Sequence, residues 1–114
     1  MEARAITKFI RISPRKVRLV VDQIRGKGVE DALNILKFIP KRSAAIIAKT
    51  VRTAVANAEN SQSVDVDRLF VKQAKVDEAG QWKRFTSRAQ GRATSVRKRL
   101  SHVTIVVDET EERS

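Results

Sequence analysis

The segment KRFTSRAQGRATSVRKR, residues 83–99, carries seven basic side chains and only four apolar ones, Phe85, Ala89, Ala93 and Val96. No carboxylate occurs between Glu78 and Asp108. A run this cationic repels itself and has too little apolar surface to fold inward, so an external polyanion is its natural support. Strand-like sequence bounds it on both sides, which makes it an arm rather than a tail. Val66 to Asp77 contains Leu69, Phe70, Val71, Ala74 and Val76 with strand alternation, and Ser101 to Asp108 reads SHVTIVVD, β-branched and flanked by polar residues. Two strands joined by such a segment pair antiparallel most simply. If Val76 lies opposite Val103, the turn falls between Arg88 and Arg92, around Gly91. A hairpin of about a dozen residues a side, at about 3.3 Å per residue, then projects on the order of 40 Å. Isolated two-stranded hairpins are marginal in water, so this length makes physical sense in an anionic surrounding.

Upstream, residues 3–12 (ARAITKFIRI) alternate imperfectly, with Ile6, Phe9, Ile10 and Ile12 as the apolar side of a half-buried strand. Ser13-Pro14 follows as N-cap and first helical residue. Val17, Val20, Val21 and Ile24 recur at helical spacing and Gly26 supplies the stop. The opposite face holds Arg15, Lys16, Arg18 and Arg25 against Asp22. It serves either as a solvated face or as an RNA contact, and the excess of base favours RNA. A second helix opens at Gly28, with Glu30 and Asp31 in its first turn, a stripe of Val29, Ala32, Leu33, Leu36 and Ile39, and Pro40 at its end. A third, alanine-rich helix runs from about Lys41 to Asn60 with Ile47, Val51, Val55 and Ala58 as its seam; it reads first as core. The expected fold class is α+β: a three-stranded antiparallel sheet, the N-terminal strand completing it, packed with three helices and extended by a long basic hairpin.

At 114 residues the chain reads as one domain, residues 1–114, with a globular body of 1–78 and 101–110 and an arm of 79–100. Such a body buries about 60–65% of its unfolded surface, a modest core. The net charge of +11 opposes compaction and attracts nucleic acid or an anionic surface. Without cysteine there is no disulfide or thiolate site, and His102 as the single histidine cannot build a multi-histidine metal centre. No cofactor or metal is expected. The start, MEARAITKFIRIS, lacks the uninterrupted apolar run of a signal peptide, and no window approaches a membrane span, so a soluble intracellular protein is expected.

The acids fall in adjacent pairs (Glu30-Asp31, Asp77-Glu78, Glu111-Glu112), which suits caps, turns and a tail rather than a catalytic dyad. With four glycines and no phosphate loop, the chain is not expected to be an enzyme. Arginine, five to two over lysine in the arm, offers a planar fork to phosphate and stacks on bases. Seven engaged phosphates would give log affinity a slope of roughly −5 to −6 against log salt. Trp82 and Phe85, beside Lys83 and Arg84, suit stacking on unpaired bases; Trp82 equally suits a clasp across the hairpin. A basic tether that orders only on binding is the plainer reading of the arm.

SPRKVRLVVDQIRGKGVEDALNIL (13–36), AVANAEN (54–60) and VDEAGQWKRFTSRAQGRATSVRKRLSHVTIVV (76–107), in this order and spacing, resemble the family of large-ribosomal-subunit protein twenty-two in its bacterial or organellar form. The resemblance covers roughly residues 4–108. It implies a body on the outer surface of the large subunit near the exit of the nascent-peptide tunnel, and a hairpin reaching through ribosomal RNA to line that tunnel. It implies large-subunit rRNA, neighbouring large-subunit proteins and the nascent polypeptide as partners, a role in assembly, and a cytoplasmic or organellar ribosome as the location. It implies no membrane and no obligate homo-oligomer. In this family, changes in the hairpin can confer macrolide resistance. Trp82 stands where relatives more often carry a smaller or more flexible side chain, and Leu100 where threonine is common.

Charge and resemblance together nominate Lys8, Arg11, Arg15, Lys16, Arg18, Arg25, Lys83, Arg84, Arg88, Arg92, Arg97, Lys98 and Arg99 for rRNA binding. The resemblance implies Trp82, Lys83, Arg84, Arg88, Gln90, Gly91 and Arg92 as the tunnel-proximal tip. The competing class is a free-standing architectural protein whose basic arm embraces duplex DNA. Such arms usually insert an apolar wedge, and Ser87-Arg88-Ala89-Gln90-Gly91 offers none. A binder of anionic membranes would want large apolar residues opposite the charge, which the basic run lacks.

Overall fold

The computed structural model describes residues 2–61, 65–87 and 93–109, with 80–87 and 93–99 as backbone. The central element is β3 (Ala93–Glu109), flanked by β1 (Glu2–Ile10) and β2 (Leu69–Ser87) in an antiparallel sheet of order β1-β3-β2. The β-branched run 103–107 accounts for the central position. Val103, Ile105 and Val107 point at the helices and are fully buried, while Thr104 and Val106 on the other face are also shielded, at 7% and 3% exposure. Only a strand with neighbours on both sides hides both faces this well. The architecture is therefore the α+β sheet with three helices that the sequence pattern predicts.

Three helices cover one face: α1 (Pro14–Val21), α2 (Val29–Lys37) and α3 (Arg42–Ser61). Ser13 has extended dihedrals and its carbonyl accepts from the Val17 N–H at 3.2 Å, so Pro14 takes the first helical position, where its missing N–H is no loss. Val17, Val20 and Val21 of α1 are fully buried, each contributing on the order of 1.5–3 kcal/mol of hydrophobic stabilisation. Ala44, Ala48, Ala54 and Ala58 of α3 are buried around Ile47 and Val51, letting the helix lie close against the sheet and α2. Buried Thr50 shares a hydrogen bond of 2.6 Å with Thr7 of β1, and Asn57 Nδ2 donates to the Arg4 carbonyl at 3.0 Å.

Three expectations are corrected. The first helix ends at Val21 rather than running to Gly26, because residues 22–27 bend back to the sheet. Gly26, at φ 80, donates its N–H to the Val71 carbonyl (3.0 Å), and the Val71 N–H donates to the Lys27 carbonyl (2.8 Å). Gly26 is required by that left-handed turn. The strand expected from Val66 starts at Leu69: Asp65 accepts from the Asp67 N–H at 3.1 Å and sets a 3-10 turn, Val66–Arg68. In β1 the buried side chains are Ala3, Ala5 and Ile10, whereas Ile6 and Phe9 are 46% and 61% exposed. A register shift between Thr7 and Ile10 breaks the alternation that would have put Phe9 inward.

The arm is a continuation of the sheet. Val76 pairs with Val103, as the assumed register had it, and the ladder runs on through Trp82↔Lys98, Lys83↔Arg97 and Arg84↔Val96 to Ser87↔Ala93. Register shifts between Val71 and Gln73 and between Glu78 and Gln81 each add a residue to β2. The molecule measures 64 × 27 × 15 Å with a radius of gyration of 17.3 Å, where a compact chain of this length would have about 13 Å.

Candidate nucleic-acid interface

Two cations of the body reach the sheet edge with their side chains. Arg18 Nη2 donates to the Val76 carbonyl at 3.0 Å. Arg25 donates from Nε and Nη2 to the Ala74 carbonyl at 3.0 and 2.7 Å, and from Nη1 to Asp22 at 2.6 Å. Strand β2 is a sheet edge, and these two guanidiniums fasten α1 to it while covering its outward carbonyls. Arg15 and Lys16, on the same helix, are exposed and point away from the core valines. Lys8 and Arg11, at the end of β1 and just past it, are exposed as well.

Lys8 and Arg11 belong to a groove of about 610 Å³ between the outer edge of β1 and α3, whose wall includes Arg42, Lys49, Ile46 and Phe9 and, among the described residues, no carboxylate. A smaller hollow of about 260 Å³ lies on the open sheet face, with Arg4, Lys8, Lys75, Gln73 and His102 around it and, among the described residues, Asp77 as its one acid. The opposite side differs. A cleft of about 630 Å³ among α2, α3 and the 3-10 turn is lined by Glu30, Asp31, Glu59 and Asp67 against Arg52. Positive charge thus gathers along β1, α1 and the arm, and negative charge along α2 and the end of α3.

At the far end of the sheet, Lys72 on β2 is paired with Glu2 of β1 and lies 3.6 Å from Asp108 of β3. The hydrogen bond that the Lys72 ammonium donates to the Glu2 carboxylate raises the Lys72 pKa above its ordinary value. Burial pushes the Asp108 carboxyl up, but the Glu109 N–H, which donates to it at 2.7 Å, together with nearby positive charge that includes the Lys72 ammonium, holds it below its usual value. This cluster ties the three strands together and is not a site. Among the described residues no group of His, Asp and Glu is arranged to hold a metal, and no helix is long and apolar enough to cross a membrane.

Of the residues nominated from the sequence, Lys8, Arg11, Arg15, Lys16, Arg18 and Arg25 lie on β1, the β1–α1 connection, α1 and the turn after it. Trp82, Lys83, Arg84, Arg97, Lys98 and Arg99 lie on the paired strands of the arm. Arg88, Gln90, Gly91 and Arg92 fall outside the described residues. Neither Arg42 nor Lys49 is among the nominated residues: α3 reads first as core, with RNA contact by polar residues such as Lys49 secondary, and only the structure puts both in the groove wall beside β1.

This combination of helix-backed sheet, segregated charge and a two-stranded arm continuous with the sheet has a counterpart among known sequences. The profile described as "Ribosomal protein L22p/L17e" matches residues 5–108. The chain belongs to this family. Among its relatives, large ribosomal subunit protein uL22 of Maridesulfovibrio salexigens is 61% identical over 109 residues, covering 96% of this chain and 99% of that protein. The uL22 proteins of Syntrophobacter fumaroxidans and Lawsonia intracellularis are 58% and 54% identical, covering 96% and 98% of this chain and 99% and 100% of their own length. The L22p/L17e match takes in both strands of the arm as well as the body, so the arm belongs to the family's common sequence.

Proposed function

We propose that the chain is a structural constituent of the large ribosomal subunit that binds large-subunit rRNA, assists assembly, and lines the nascent-peptide tunnel with its arm. The observation that carries this reading is the pairing of β2 with β3 from Val76↔Val103 through one bulge to Ser87↔Ala93, along a segment whose charged side chains between Glu78 and Asp108 are all basic. Near-full-length similarity to bacterial large-subunit proteins supports it. In this reading the body, residues 1–78 and 101–110, docks through Lys8, Arg11, Arg15 and Lys16, with Arg18 and Arg25 adding charge while they clamp β2. The arm, residues 79–100, threads between RNA segments with Lys83, Arg84, Arg88, Arg92, Arg97, Lys98 and Arg99 on phosphates. Trp82, Lys83, Arg84, Arg88, Gln90, Gly91 and Arg92 approach the path of the emerging polypeptide, and neighbouring subunit proteins complete the surroundings. The ribosome is the location, and no chemistry is performed.

Sedimentation of the tagged full-length protein in a cell lysate tests this. Co-migration with the large subunit, resistant to moderate salt, is expected. Association with chromosomal DNA instead would favour the architectural alternative and overturn the reading.

A further inference from the structure

Phe9 is the one non-glycine residue with positive φ (56°) among the described residues. A bulky aromatic in the left-handed region is an outlier that costs on the order of 1–3 kcal/mol, and such strain persists where the surroundings over-determine it. Here the surroundings are specific. The Phe9 N–H donates to His102 Nδ1 at 3.1 Å, and the two rings meet edge to face with centroids 4.8 Å apart and planes at 80°. The strain holds the phenyl ring outward: Phe9 is 61% exposed, although the next residue, Ile10, is buried. A core role is thereby excluded.

The ring forms part of the wall of the groove of about 610 Å³ between β1 and α3, together with Lys8, Arg11, Arg42 and Lys49 and, among the described residues, without a carboxylate. It lies beside the sheet position from which β3 continues toward the arm, His102 pairing with Asp77. An exposed, rigidly held aromatic ring beside four cations has the chemistry that single-stranded RNA requires: a π face for a base and charges for the adjoining phosphates.

We infer that Phe9, braced by His102, stacks an unpaired base of the rRNA, while the β1–α3 groove holds the neighbouring phosphates. This rests on the rRNA-binding reading and adds to it a second contact, separate from the arm, that works by stacking rather than by charge alone. Arg42 and Lys49 become RNA ligands, and His102 a positioning residue.

The test is equilibrium binding of the full-length protein to transcribed large-subunit rRNA across a salt series, with Phe9→Gly, Phe9→Trp and Lys49→Glu. Glycine accepts the positive φ without strain, so Phe9→Gly should melt no lower than the parent. It should bind about 5- to 150-fold more weakly, the range for loss of one stacked base, with an unchanged salt slope, since a stack releases no counterions. Phe9→Trp should bind like the parent. Lys49→Glu should weaken binding and make the slope shallower by about one or more. Parental affinity in Phe9→Gly would overturn the stacking site and leave the rRNA reading standing. Absence of rRNA binding by the parent protein would overturn both.

Discussion

The strands β2 and β3 form one ladder with two unlike halves. In the inner half, Val71, Ala74 and Val76 face the helices beside Val103, Ile105 and Val107, and all are buried. In the outer half, from Gln81↔Arg99 to Ser87↔Ala93, the pairing pattern is the same, but the sequence supplies Lys83, Arg84, Arg97, Lys98 and Arg99. Backbone pairing alone therefore does not distinguish core sheet from projecting arm. What distinguishes them is whether the side chains repay burial or seek counter-charge, and the change comes within a few residues of Ser101.

Replacing residues 83–97 by Asn-Gly, which closes a two-residue hairpin between the paired residues Trp82 and Lys98, sets the halves apart most sharply. The body should keep its melting temperature. Affinity for rRNA should fall, and the salt slope should become shallower by about 4, because five basic residues are removed. A marked loss of thermal stability would show that the outer half packs on the body. Ile105→Ala probes the inner half. It removes a fully buried side chain from the central strand and should cost about 2–5 kcal/mol in denaturant unfolding. A cost below about 1 kcal/mol would mean that the core can collapse around it.

The cations on α1 refine the contrast. Arg18→Ala with Arg25→Ala should lower stability by about 1 kcal/mol, the hydrogen bonds to β2 being discounted for their exposure to solvent. Arg15→Glu with Lys16→Glu should leave unfolding unchanged and weaken rRNA binding at physiological salt; unchanged affinity would return that face to solvent. The smallest effect is expected at Asp108. Its pKa is lowered in the folded state, so its contribution is present above about pH 4, the unfolded value, and is lost as pH falls through the lower folded value. Asp108→Asn should therefore be slightly less stable than the parent at neutral pH, with the difference closing in acid. A gap that persists at pH 2 would assign the effect to packing.

The elements that depend on one repeated property were legible from sequence. Valines at helical spacing, alanines along α3, the β-branched run 103–107 and the acid-free interval from 79 to 107 announced three helices, a strand and an arm. The pairing of Val76 with Val103 was legible too. The deviations had no such signal. Shifts in β1 and β2 insert single residues into ladders whose composition looks regular, and one of them turns Phe9 from an expected core residue into an exposed ring. Arg18 and Arg25 look like Arg15 from sequence, yet their guanidiniums lie on strand carbonyls some fifty residues away.

By itself, the sequence determined the composition of each element: where apolar surface demands burial, where like charge forbids it, and where proline and glycine interrupt a helix. Only the tertiary structure decided that β3 lies between β1 and β2, which arginines clamp an edge strand, and that β1 and α3 enclose a basic groove. The reason is physical. Hydrophobic periodicity and local charge are properties of neighbours in the chain, whereas strand order, register shifts and side-chain partners arise from contacts between distant segments, whose free energies no single segment carries.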